Sequence, residues 1–144
     1  AFSETAQVRT APARQSRRRQ ALEHHVLDPV SCAKGPLLGP VAILVDAMTG
    51  SASECFGGGM QSLGRARVFG QTTMGQALPA FFAKLPNGDV LIHATGDFVT
   101  ADGTRLEGRG VIPDEPVALV RSELLEGRDA TLEAALKWID QQGR

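Results

Sequence analysis

Tyrosine is absent from this 144-residue chain, and its aromatic complement is one tryptophan and six phenylalanines. An aromatic-rich basic surface of the kind that stacks on nucleic-acid bases is therefore excluded. Neither charge sign dominates, since 15 lysines and arginines face 16 aspartates and glutamates, a formal net charge of −1. That balance gives no electrostatic reason to expect a polyanion or an anionic membrane surface. No apolar run approaches the length of a transmembrane helix, and no signal peptide is visible at the start. The two cysteines, Cys32 and Cys55, are too few for a disulfide framework and leave the redox compartment open. The chain opens at Ala1 rather than methionine and reads as a trimmed or excised piece, with any export signal outside it. Its length and 42% hydrophobic content suit one globular domain with a real core.

Residues 1–38 show no apolar periodicity. Arg14, Arg17, Arg18 and Arg19 read as a solvated, Arg-rich connecting segment rather than a polyanion patch, because acidic residues elsewhere balance them. His24-His25 lacks nearby ligand spacing and reads as a surface pair, so no metal or cofactor is expected. Val41 to Val45 is a continuous, partly β-branched apolar run, and it predicts a strand over 41–46 buried on both faces, Ile43 and Val45 included. From Ser51 to Leu63, Ala52, Cys55, Phe56, Met60 and Leu63 recur at helical spacing, with Glu54 in the first turn where the dipole favours an acid. Gly57-Gly58-Gly59 inside that helix marks either close helix–sheet packing or a weak helix, at about 1 kcal/mol per glycine relative to alanine. It is no phosphate loop, since no Lys-Ser/Thr pair follows it.

Ala66 to Phe69 reads as a second strand, which makes 41–69 a βαβ unit with a parallel pair. Ala80–Leu85 and Val90–Val99 read as strands joined by the turn Pro86-Asn87-Gly88. Residues 129–141 read as an amphipathic helix with Leu132, Ala135, Leu136 and Ile139 on one side and Trp138 beside it.

The most informative stretch is Gly39 to Glu54, an apolar strand running through a short turn into Thr49-Gly50-Ser51-Ala52-Ser53-Glu54. It sets a serine hydroxyl at the exposed end of a strand and on the positive end of a helix, a junction that nucleophilic serine enzymes use. With Gly70-Gln-Thr-Thr-Met-Gly75, Leu85-Pro-Asn-Gly88, Asp102-Gly103 and Glu107-Gly-Arg-Gly-Val-Ile-Pro-Asp114 following in order, the chain resembles the C-terminal processing, or tail-specific, serine peptidases over about residues 39–142. The resemblance implies an α/β fold, a ClpP/crotonase-like core of β-β-α units. Residues 39–144 would be its C-terminal part, with the βαβ unit, a hairpin region and a closing helix.

It also implies site residues. Ser51 matches the family's nucleophile, and the Ala52 N–H at the helix start is placed to stabilise an oxyanion. Ser53, one step into the helix, reads as structural, and the other reading of Ser51 is an ordinary N-cap. Lysine-using members carry their base directly after the glycine that matches Gly75; here that position is Gln76, whose amide cannot accept and return a proton near neutral pH. Lys84 reads as an exposed strand residue. The chain is similar in this to the tricorn-like branch, which takes a histidine from an earlier segment and a glutamate near the end of the domain. Glu107 matches that glutamate, or is a solvent-facing turn acid. His93 sits mid-strand and is the first candidate should a base lie within the chain.

The family's Gly-Gly segment, which completes the oxyanion hole, precedes the strand at 41–45 and has no match here. The expectation is therefore a serine peptidase core that acts on polypeptides or oligopeptides but is incomplete and inert alone. It would form a homo-oligomer or associate with an upstream half, and by family resemblance the parent would be periplasmic or secreted. The competing reading is a non-catalytic scaffold or ligand-binding module on the same fold. A crotonase-like acyl-CoA enzyme ranks last, for want of an adenine or phosphate signal.

Overall fold

The computed structural model describes the strands Gln7–Thr10 and His24–His25 and residues 37–143. Three small sheets result. β3 (Ala42–Val45), β4 (Arg67–Gly70) and β8 (Glu115–Pro116) run parallel in the order β3-β4-β8. β5 (Ala80–Lys84) and β6 (Val90–Ala94) form an antiparallel ribbon. β1 (Gln7–Thr10) lies between β2 (His24–His25) and β7 (Gly96–Val99), antiparallel to both. α1 (Ala52–Ser62) connects β3 to β4, and α2 (Arg121–Leu125) and α3 (Ala130–Gln142) close the chain.

The βαβ unit, the hairpin and the closing helix stand where the periodicity puts them, with three differences. The strand expected over 90–99 breaks at Thr95, whose N–H turns to the Pro79 carbonyl at 2.9 Å. The first 38 residues, read as irregular, contribute β1 and β2. An edge strand such as β7 needs backbone partners, and any extended segment can supply them without apolar periodicity. Cys32 and the arginines at 14 and 17–19 lie outside the described residues.

The third difference concerns which faces are buried. β3 was expected to be covered on both sides. Val45 is buried, Ile43 half-buried, and Leu44 is exposed. Leu44 pairs with Phe69 on the face that α3 covers. There Trp138 lies 5.7 Å from the fully buried Phe69 ring, and the Arg67 guanidinium sits 5.9 Å from both rings while paired with Glu115 at 3.0 Å. α3 packs on both β3 and β4 and still leaves Leu44 partly in solvent.

α1 also turns the other way. Phe56, and Leu63 at its C-cap, are exposed, whereas Glu54 and Gly57, Gly58 and Gly59 are buried. The glycines act as close-packing positions: a Cβ on Gly58 would stand 2.8 Å from Leu106 Cδ1 and 3.3 Å from Val111 Cγ2. Val45, Val68, Ala77, Phe98, Leu106 and Val111 form the core beneath this approach. α3 likewise buries Thr131 and Ala135 and leaves Leu132 and Leu136 exposed. It starts at Asp129, whose carboxylate accepts from the N–H groups of Thr131 and Leu132 at 3.0 Å each.

Candidate functional site

Ser51 is the only non-glycine residue with positive φ among the described residues, at φ 56° and ψ −126°. These are the angles of the first central position of a type II′ turn, which glycine normally occupies. A serine there carries backbone strain on the order of 1–3 kcal/mol and is held only by what surrounds it. The strain arises because β3 must reverse within Asp46–Gly50 and enter α1 immediately. Thr49 N–H donates to the Asp46 carbonyl at 3.1 Å, and the Asp46 carboxylate caps Met48 N–H at 2.9 Å. The result is an exposed Ser51 at the mouth of α1. Among the described residues the Ala52 N–H finds no acceptor, as expected for an orphan donor of a first helical turn.

Glu54 is what holds the turn. Its side chain is completely buried, and its carboxylate accepts four hydrogen bonds. Oε1 takes the Thr73 hydroxyl and the Gly75 N–H, the latter at 2.6 Å; Oε2 takes Gln76 N–H at 2.9 Å and Ser51 N–H at 3.1 Å. Burial alone pushes this carboxyl up, but the bonds from Thr73, Gly75, Gln76 and Ser51 together outweigh it and hold the pKa below the usual carboxylate value. Glu54 is thus a charged acceptor buried because it is fully satisfied. Thr73 extends the network by accepting Val111 N–H at 2.7 Å. In the sequence Glu54 reads only as a dipole-favoured acid; its Ser-x-x-Glu spacing from Ser51 is the one signal of the capping box.

Gln76 and Glu107 meet Ser51 through one peptide group. The Gln76 carbonyl shares the Ser51 N–H with Glu54 Oε2, accepting it at 3.0 Å, and the N–H on the other side of that peptide, from Ala77, donates to Glu107 Oε2 at 2.8 Å. Leu78 N–H adds a second bond to the same oxygen at 3.2 Å. Glu107 is half-buried and bound to backbone, while the side chain of Gln76 is exposed. Two glycines let the loops close. Gly75 at φ 72° lies against Arg109 and Gly110, and Gly110 at φ 74° lies so near Thr73 that a Cβ would reach its carbonyl oxygen at 2.5 Å. Cys55 points its thiol at the Ala77 carbonyl, 3.8 Å away; burial and the neighbouring Glu54 charge push that thiol up, so it is a poor nucleophile.

Lys84 is exposed, as expected, and His93 lies on β6 with Nδ1 3.3 Å from the Ala94 carbonyl. His24 and His25 lie in β2. No group of three or more metal-ligating side chains occurs among the described residues, and none of their helices is long and apolar enough to cross a membrane. A cleft of about 430 Å³ lies elsewhere, between the C-terminal half of α1 and the loops at 100–114, and none of Ser51, Ala52, Gln76 or Glu107 lines it.

Peptidase family S41 matches residues 3–117. A probable CtpA-like serine protease of Staphylococcus haemolyticus is 33% identical over 78 residues, which are 54% of this chain and 16% of that protein. The photosystem II D1 C-terminal processing protease is similar in structure with a TM-score of 0.50 and 28% identity, over 55% of this chain and 20% of that one. A putative peptidase from Parabacteroides merdae superposes over 93% of this chain and 42% of its own, with a TM-score of 0.69; at 23% identity it speaks to the fold alone. The chain spans about a sixth of the length of the curated relatives it matches.

Proposed function

Because the chain belongs to peptidase family S41, we propose that it is the nucleophile-bearing part of a serine peptidase core, with Ser51 as the nucleophile. Residues 39–144 would form that part, and residues 1–38 the segment leading into it. The observation that carries the reading is the backbone of Ser51: exposed, at positive φ, and followed by a free helical N–H. Attack by its hydroxyl on a peptide carbonyl would place the developing oxyanion within reach of Ala52 N–H. Glu107, through the Gln76–Ala77 peptide, would fix the position of the Ser51 backbone, which makes it a positioning residue. The substrate would be a polypeptide or oligopeptide, as the family implies.

Ser51 has no general base on its own loop. Gln76 stands where lysine-using members carry theirs and has no proton to exchange near neutral pH. As in the tricorn-like branch, the base and the second oxyanion donor would come from residues upstream of this core. One backbone donor supplies roughly 3–4 kcal/mol of transition-state stabilisation, against the roughly 8 kcal/mol or more that an enzyme provides. Gln76 also favours a second reading, a non-catalytic scaffold on the same fold.

Fluorophosphonate labelling with peptide mapping tests both. The 144-residue chain is expected to give no adduct, and Gln76→Lys is expected to give none either. Joined to the upstream part of a tricorn-like member of the family, which would bring the histidine, it is expected to be labelled at Ser51 and to lose the label on Ser51→Ala. Stoichiometric labelling of the unaltered chain would show that it contains its own base, with His93 to be tested first. A folded fusion without label would leave the scaffold reading in place.

A further inference from the structure

In the ribbon of β5 and β6 every residue but the half-buried Ala83 is exposed. The register pairs Ala80 with Ala94, Phe82 with Ile92, and Lys84 with Val90. Side chains alternate across a strand, so these six share one face, and Phe81, Ala83, Leu91 and His93 share the other. On the first face Phe82 is 74% exposed, and Val90 and Ile92 are each 60% exposed. No third strand joins the ribbon among the described residues, and two strands alone are marginally stable in water. The three large side chains leave on the order of 300–400 Å² of apolar surface in solvent, the size at which a patch marks an interaction site.

We propose that this face joins two copies of the chain across a two-fold axis, with Phe82 and Ile92 of each packed at the centre on the same residues of the other and Val90 of each lying over the other's Ala80 and Ala94. Charge selects this occupant over an acidic or basic partner. The face carries a single charged group, Lys84, and the chain's net charge of −1 does not oppose self-association. The symmetry suits it as well, because antiparallel ribbons place the two Lys84 groups at opposite ends of the contact.

Area completes the argument. With Ala80, Ala94 and the Lys84 stem, each copy contributes roughly 500 Å², so the pair buries about 1,000 Å², close to the lower limit for a specific interface. The opposite face also shows apolar surface, with Phe81 63% and Leu91 47% exposed, but it has two large apolar side chains where the first has three, and His93 sets an ionisable ring beside them. The inference is independent of the role of Ser51.

Sedimentation of the full chain across a concentration series tests it, with Ile92→Asp and Val90→Lys on the proposed face and Leu91→Asp on the other. The chain is expected to be a reversible dimer with a dissociation constant in the micromolar range, roughly 1–100 μM. Ile92→Asp and Val90→Lys should each weaken it at least about tenfold, and Leu91→Asp by less than about threefold. Thermal melts identify any variant that fails to fold, and the other substitution on the same face then decides. A chain monomeric throughout the series would overturn the proposal, as would a dimer sensitive to Leu91→Asp and indifferent to the other two. A monomer destabilised by Ile92→Asp would show the face to be covered by residues of its own chain, which also overturns it.

Discussion

Replacing Glu54 by alanine will lower the stability of the chain by about 4 kcal/mol or more, in the range reserved for losses of buried networks. The carboxylate satisfies four donors at once, and three of them, from Thr73, Gly75 and Gln76, belong to a loop 19 or more residues away. Alanine removes the acceptor and leaves buried N–H and O–H groups facing a void, each costing roughly 1–3 kcal/mol. Glu54→Gln keeps the shape but turns an NH2 group towards one pair of donors, so it should be only partly corrective. Chemical denaturation measures both effects. A loss below about 1 kcal/mol in Glu54→Ala would mean that the loop at 73–76 is held by something else.

The same carboxylate makes a pH prediction. Its folded pKa lies below the unfolded one, so the folded state binds the proton less readily than the unfolded chain does. The contribution is complete above the ordinary value near 4.5 and is lost as pH falls through the lowered folded value. Wild type should therefore lose stability on acidification below about pH 4.5, and Glu54→Ala should lose less over the same interval.

Gly70→Ala will be of similar severity, about 3 kcal/mol or more. Gly70 ends β4 at φ 122°, and a Cβ there would lie 1.9 Å from the Val45 carbonyl oxygen, which is backbone and cannot rotate away. That oxygen also accepts Gln71 N–H, and the Gly70 carbonyl accepts Val117 N–H at 2.8 Å. Relief of the clash must therefore separate β3 from β4 or β4 from β8, the sheet on which Ser51 is mounted. Denaturation of Gly70→Ala beside Gly88→Ala, at a positive-φ turn glycine with open space around it, separates steric clash from backbone strain. Equal losses in the two would show that the strand contact at Val45 can relax.

Where the fold was legible, a local pattern carried it. The β-branched run at 41–45, the turn at Pro86-Asn87-Gly88 and the Thr49-to-Glu54 junction each record a strand, a hairpin or a helix start within a few residues. What was illegible depended on partners distant in sequence. Phe56 scans as a core residue of α1 and is exposed. Gly58 scans as a weakness and is the contact with Leu106 and Val111, which follow it by about 50 residues. Glu54 scans as a surface acid because burial of a charge is intelligible only with its donors in view, and those are supplied by the loop at 73–76. Likewise the linkage of Ser51 to Glu107 runs through a peptide bond at Gln76–Ala77, where side-chain identity leaves no mark.

On the proposed function Ser51 is held for chemistry at a cost in stability, rather than kept as a helix cap. The stability of Ser51→Gly measures this directly. Glycine relieves strain of about 1–3 kcal/mol at φ 56°, while the lost cap costs a few tenths and the looser unfolded chain roughly 0.5–1 kcal/mol. The predicted result is a variant about 1 kcal/mol more stable than wild type, with Ser51→Ala, which keeps the strain, showing no such gain. A Ser51→Gly chain less stable than wild type by about 0.5 kcal/mol or more would contradict the account and make Ser51 an ordinary cap.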